Sequence, residues 1–137
     1  MTIYELITEI QDLALDNDQI VATHIGNTFD IATSKSSEKY PAMWLELPIL
    51  TDYIDRRKKT HTLALNTLSL AKSDDIQDQM LKTSDMEVVM DEILQAIDDN
   101  FTTIGISNLT SVTLRNFSDD DLVGVRCDVT FTIGREC

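Results

Sequence analysis

The chain has 137 residues, 42% hydrophobic and 26% charged, which suits a single domain over 1–137 and excludes wholesale disorder. Against 24 Asp and Glu stand 11 Lys and Arg, a formal net charge of -13. That field excludes tight groove-reading of DNA or RNA, which needs a cationic footprint, and it opposes binding to an anionic membrane surface. No run approaches about 18 consecutive apolar residues, so no membrane partner is expected. Glu5, Glu9 and Asp12 interrupt the N-terminus before an apolar signal core forms, and no export signal is expected.

Ile3, Leu6, Ile7, Ile10, Leu13 and Ala14 follow the one-face spacing of an amphipathic helix over 3–16, with Thr2 and Glu5 as a capping box. Asp16-Asn17-Asp18 breaks that period. Gln19 to Thr33 reads as a strand bent or bulged at Gly26, with a hairpin at Gly26-Asn27 as the alternative. Ser34 to Lys39 is a polar loop, and Pro41 biases Tyr40 toward extended geometry. Met43, Leu45 and Leu47 alternate with Trp44 and Glu46 in a second strand that Pro48 ends. From Ile49 to Thr60 the chain reads as a solvated loop or strand flank carrying Arg56-Arg57-Lys58-Lys59.

His61 to Ala71 is a third strand, placed centrally. Its alternation slips between Leu65 and Leu68, which implies either a bulge near Asn66 or burial on both faces. Ser73 reads as the cap of a second helix, with Gln77 completing its box and Ile76, Met80, Met86, Val89, Met90, Ile93, Leu94, Ile97 and Phe101 as the apolar stripe. Unbroken from Asp74 to Asp99 it would be about 39 Å long. A break at Thr83-Ser84 is the other reading. Leu109 to Arg115 and Gly124 to Ile133 form an antiparallel hairpin, the latter with Val125, Cys127, Val129, Phe131 and Ile133 on its buried face. Arg126, Asp128, Thr130 and Thr132 stand on the other face, solvated or meeting a neighbour. The order α-β-β-β-α-β-β defines an α+β fold, an antiparallel or mixed sheet with helices packed on one face.

Catalytic patterns do not emerge. His24 and His61 stand alone in strand-like stretches, as exposed or hydrogen-bonded histidines, without a metal-ligand or triad partner at recognisable spacing. Four glycines form no phosphate-cradling loop, and Cys127 and Cys137 lack a CxxC or His partner. Asp119-Asp120-Asp121 lacks the alternate ligand spacing and sixth-position glycine of a calcium loop and reads as a polar hairpin tip. Neither enzyme activity, cofactor nor metal is expected.

The run from Asn116 through Asp119-Asp120-Asp121-Leu122-Val123-Gly124 to Phe131, with an Asp in the alternating strand and a terminal Cys137, resembles tailed-bacteriophage neck and tail-completion proteins. The element order and the Tyr40-Pro41 strand after a polar loop are similar to the tail-terminator group among them. The resemblance implies a virion protein, present in host cytoplasm during assembly, whose identical copies form a ring of six, or else twelve. Such a ring caps the tail tube or joins tail to head connector, and DNA passes through its lumen without specific binding. It implies subunit contacts at the basic run Arg56, Arg57, Lys58 and Lys59, at Asp119, Asp120 and Asp121, and at Arg126 and Asp128 on the exposed face of the last hairpin. Tyr40 and Trp44 are candidate aromatic anchors, with plain packing as the alternative for Trp44. The reading from a different class is a non-viral α+β binding or adaptor module, dimeric through a sheet edge.

Overall fold

The structure is a computed structural model that describes residues 2–27, 40–72, 75–100, 105–114 and 122–134, with backbone alone for 105–114. Its elements are α1 (Ile3–Leu15), β1 (Ala22–Asn27), β2 (Ala42–Tyr53), β3 (Lys58–Leu70), α2 (Ile76–Asn100), β4 (Gly105–Leu114) and β5 (Leu122–Gly134). The strands lie in the order β1-β2-β3-β5-β4, with β1 parallel to β2 and every other pair antiparallel. The fold is therefore α+β, as expected, and of the two sheet types left open it is the mixed one.

Thr2 caps α1: its Oγ1 accepts the Glu5 N–H at 3.2 Å and lies 3.2 Å from the Glu5 carboxylate. Leu6, Ile10 and Ala14 face the core, and Asn17 turns the chain by accepting the Gln19 N–H on Oδ1 at 2.9 Å. Gly26 and Asn27 remain in an unbroken parallel register opposite Glu46 and Leu47, so neither a bulge nor a hairpin occurs there. The loop expected at Ser34 to Lys39 lies outside the described residues.

Pro48 does not end β2. The register against β3 shifts between Glu46 and Leu50, and the strand then continues to Tyr53. A residue without an N–H fits where the ladder is already interrupted. The stretch that reads as a solvated loop or strand flank is thus, by its second alternative, the distal half of a hairpin, closed at 54–57 by N–H bonds from Ile54 and Asp55 to the Lys58 carbonyl. Strand β3 pairs with β5 without a shift from Lys58 to Leu70 and is buried continuously from Leu63 to Ser69. The slipped alternation therefore reflects burial on both faces, and Asn66 carries no bulge.

Helix α2 is continuous, so Thr83-Ser84 is no break. Its cap is Asp75, whose Oδ1 accepts the Asp78 N–H at 3.1 Å. Ser73 lies outside the described residues, two positions before that cap. The buried stripe also differs from the apolar count: Gln79, Thr83, Met86, Val89, Met90, Ile93 and Ile97 face the sheet, whereas Ile76 and Met80 are exposed. Hydrogen bonds make the polar positions tolerable. Gln79 Nε2 donates to the Lys72 carbonyl at 3.0 Å, Thr83 Oγ1 to the Gln79 carbonyl at 2.7 Å, and Thr67 Oγ1 on β3 to the Met86 carbonyl at 2.8 Å.

Helix α2 packs over β3 and β5, and α1 packs beside it over β1. One apolar cluster joins both helices to Met43, Leu45, Leu63, Leu65 and the predicted face of β5, including buried Cys127. Strand β4 starts at Gly105, earlier than expected, and Arg115 and the acidic tip Asp119 to Asp121 lie outside the described residues.

Gly124 sits opposite Leu68, where a Cβ would overlap the Thr67 carbonyl oxygen of the neighbouring strand. Backbone cannot yield as a flexible side chain would. Gly124→Ala is expected to lower the unfolding free energy by about 2–3 kcal/mol, measured by urea denaturation.

Candidate functional site

The sheet face turned away from the helices carries polar chemistry in register rows. One row runs Gly26, Glu46, Ala64, Asp128 and the next runs His24, Trp44, Asn66, Arg126. Arg126 reaches diagonally across β3, and the small Ala64 side chain leaves room for its arm. Its Nε donates to Glu46 Oε2 at 3.0 Å and its Nη2 lies 2.9 Å from the same oxygen. Nη2 also pairs with Asp128 Oδ1 at 3.2 Å. The Glu46 side chain is 7% exposed, against 33% for Arg126 and 40% for Asp128. Arg126 is therefore engaged with Glu46 and Asp128 inside its own subunit, while Arg126 and Asp128 both remain partly exposed on the face where contact with a neighbour is expected. Glu46 is the partner that sequence reasoning missed. Its signal was an acid between Leu45 and Leu47 in a strand, but its mate stands 80 residues away.

Trp44 is buried, in keeping with the packing alternative. It forms a second cluster with Leu68 and Leu122, against which half-buried Tyr40 packs. The His24 ring lies 4.9 Å from the Trp44 ring and 6.3 Å from Tyr40, so His24 belongs to this aromatic group. Asn66 Nδ2 reaches the Trp44 carbonyl at 3.5 Å.

The distal hairpin is built differently. Asp55 Oδ1 accepts the N–H groups of Arg57 at 2.6 Å and Lys58 at 2.9 Å, so this carboxylate shapes its own turn. Arg56, Arg57 and Lys58 are exposed, Lys59 is half-buried, and neither Arg56 nor Arg57 makes an ion pair among the described residues. Among the described residues β1 pairs with β2 as far as Leu47, and none pairs with that side of β2 from Leu50 to Tyr53. Leu50, Tyr53 and Ile54 are exposed there by 62%, 63% and 57%. Short apolar edges of this kind are templates for association unless charge or a covering segment protects them.

On the helical side, the C-terminal end of α1 and the second half of α2 enclose an open cleft of about 330 Å³ lined by Leu13, Asp16, Asp18, Glu92, Ile93 and Ala96. Among the described residues no group of three or more His, Cys, Asp or Glu side chains is placed to hold a metal ion, and no helix is long and apolar enough to cross a membrane.

His61 is buried on the same face as Leu63, with Nδ1 2.8 Å from the Thr51 hydroxyl. Of the two sequence alternatives for it, hydrogen-bonded holds. Burial and, secondarily, the charge of Lys59 hold its pKa below the ordinary value of 6.5. The chain matches no protein-family model and no curated protein sequence. Its functional reading rests on these surfaces.

Two outcomes test the geometry. Arg126→Met should cost about 2–3 kcal/mol, because it strands the buried Glu46 carboxylate, whereas Asp128→Asn, at the exposed end, should cost less than about 1 kcal/mol. The paired replacement Glu46→Leu with Arg126→Met should recover most of that loss in urea melts. For His61, the unfolded chain binds the proton first as pH falls through about 6.5, so stability rises with pH in that window and is lost on acidification. His61→Gln should flatten the slope of unfolding free energy between pH 7 and 5.5.

Proposed function

We propose that the protein is a non-catalytic structural subunit of the tailed-bacteriophage neck and tail-completion type, whose copies assemble as a ring that caps the tail tube or joins tail to head. The observation that carries this reading is the distal hairpin: an apolar strand edge ending in exposed arginines, on a chain whose net charge is -13. An apolar edge of this kind, left uncovered, is a template for association. The one-sided helical layer over a mixed sheet also agrees with the fold that the resemblance implies. The charge fits the role, since a ring through which DNA slides is served by a wall that does not grip phosphate. Six copies are favoured, with twelve as the second count.

The same open edge is the observation that favours the adaptor reading, in which two copies pair edge to edge and stop. Copy number separates the two. Light scattering combined with negative-stain imaging is expected to show closed rings of six or twelve. A strict dimer supports the adaptor, and a monomer at every concentration, and with purified tails, defeats the ring. In an assembled ring the inner wall should be acidic or neutral; a strongly basic wall would overturn the account of DNA passage.

A further inference from the structure

The outward face of α2 is unusual for a surface helix. Its buried stripe points to the sheet, and on the opposite side Leu81 and Val88 are exposed by 59% and 58%. These two residues lie seven apart, two turns along one face, and Asp85 and Glu92 repeat the same spacing beside them. The result is an apolar strip with an acidic rim. The hairpin end is its counterpart: Leu50, Tyr53 and Ile54 with a basic rim of Arg56 and Arg57.

The two patches cannot meet within one molecule. The hairpin belongs to the sheet, and the α2 strip faces away from the sheet on the far side of the helical layer. A contact between them joins unlike surfaces of two copies, the head-to-tail geometry that repeats until a ring closes. Charge also selects the partner. The two helices together carry ten acidic residues and one basic residue, whereas the segment 56–59 holds four of the chain's eleven bases. Opposed rims of this kind fix register and exclude the like-to-like arrangements, tip on tip or helix on helix.

We infer that the occupant of the α2 strip is a second copy of this chain, whose β2–β3 hairpin end lays Leu50, Tyr53 and Ile54 on Leu81 and Val88 and sets Arg56 and Arg57 against Asp85 and Glu92. The inference rests on the ring reading and names its contact.

The test uses two full-length variants, Arg56→Glu with Arg57→Glu, and Asp85→Lys with Glu92→Lys, each confirmed as folded by circular dichroism and thermal melting. Each alone should fall to monomer, with association weakened at least tenfold, by light scattering. Mixed in equal amounts they should regain the wild-type particle, because each variant's tip now matches the other's helix. Leu81→Ser with Val88→Ser, which leaves every charge in place, should also weaken assembly. If the wild-type chain forms rings and either charge variant assembles as well as it does, or the mixture fails to recover particles, this contact is wrong and the ring reading stands. If the wild-type chain never assembles, both fall together.

Discussion

Everything in this fold is hung on β3, the strand that is hydrogen-bonded along both edges and buried on both faces. Its ladder to β5 runs unbroken from Lys58 to Leu70, and its ladder to β2 holds the proximal half of that strand in place before the bulge. Two-sided burial dictates the residues. Leu63 and Leu65 meet the helices, Leu68 meets Trp44 and Leu122, and Ala64 is small because Arg126 must pass over it. Thr67 can occupy a fully buried position because its hydroxyl is spent on the Met86 carbonyl. That bond also ties the strand to the middle of α2, so the helix is positioned by a polar contact as well as by its apolar stripe.

The opposite sheet face shows what such an arrangement requires when no helix covers it. A carboxylate as buried as Glu46 is costly without a partner, and Arg126 offsets that cost with two contacts to one oxygen. The pair also bears on register. A slip of β2 by one residue would turn Glu46 into the apolar cluster and bring Leu45 out beside Arg126. The bulge lies immediately beyond, between Glu46 and Leu50. The strand is thus pinned just before the point at which its pairing changes, and the distal hairpin leaves the body of the sheet in a defined direction.

Much of this was legible in the sequence where a single periodicity governed the residues. The alternation of β5 and the apolar stripe in the second half of α2 each report one buried face, and both were readable. Legibility failed where two environments overlapped. Pro48 was read as a terminator because a proline normally leaves a ladder, yet the chain carries it at a bulge. Ile76 and Met80 were counted into the helix stripe because apolar residues usually point inward, while Gln79 and Thr83 took those places through hydrogen bonds to groups that no periodicity reveals. At the candidate site the pattern marked Arg126 and Asp128 as a polar face but could not show that Glu46, two strands away on the same face, is their partner. Such pairing depends on strand order, a property of the whole sheet. The basic run, by contrast, was a local feature and kept its exposure at Arg56, Arg57 and Lys58.

The distribution of charge then acquires a structural meaning that the total lacks. Copies carrying -13 each repel one another at long range, and in physiological salt that repulsion is screened beyond about 8 Å. Association is consequently decided at contact distance, by which groups face each other. Acids are spread over both helices, so any two helical layers brought together meet like charge along their whole length. A base-rich hairpin tip at the rim of the sheet meets such a layer with opposite charge. Its turn is stiffened by Asp55, so in the proposed contact the arginines would lose less freedom on docking. Net charge therefore opposes contact between helical layers, and the clustered bases favour the head-to-tail orientation of the proposed contact.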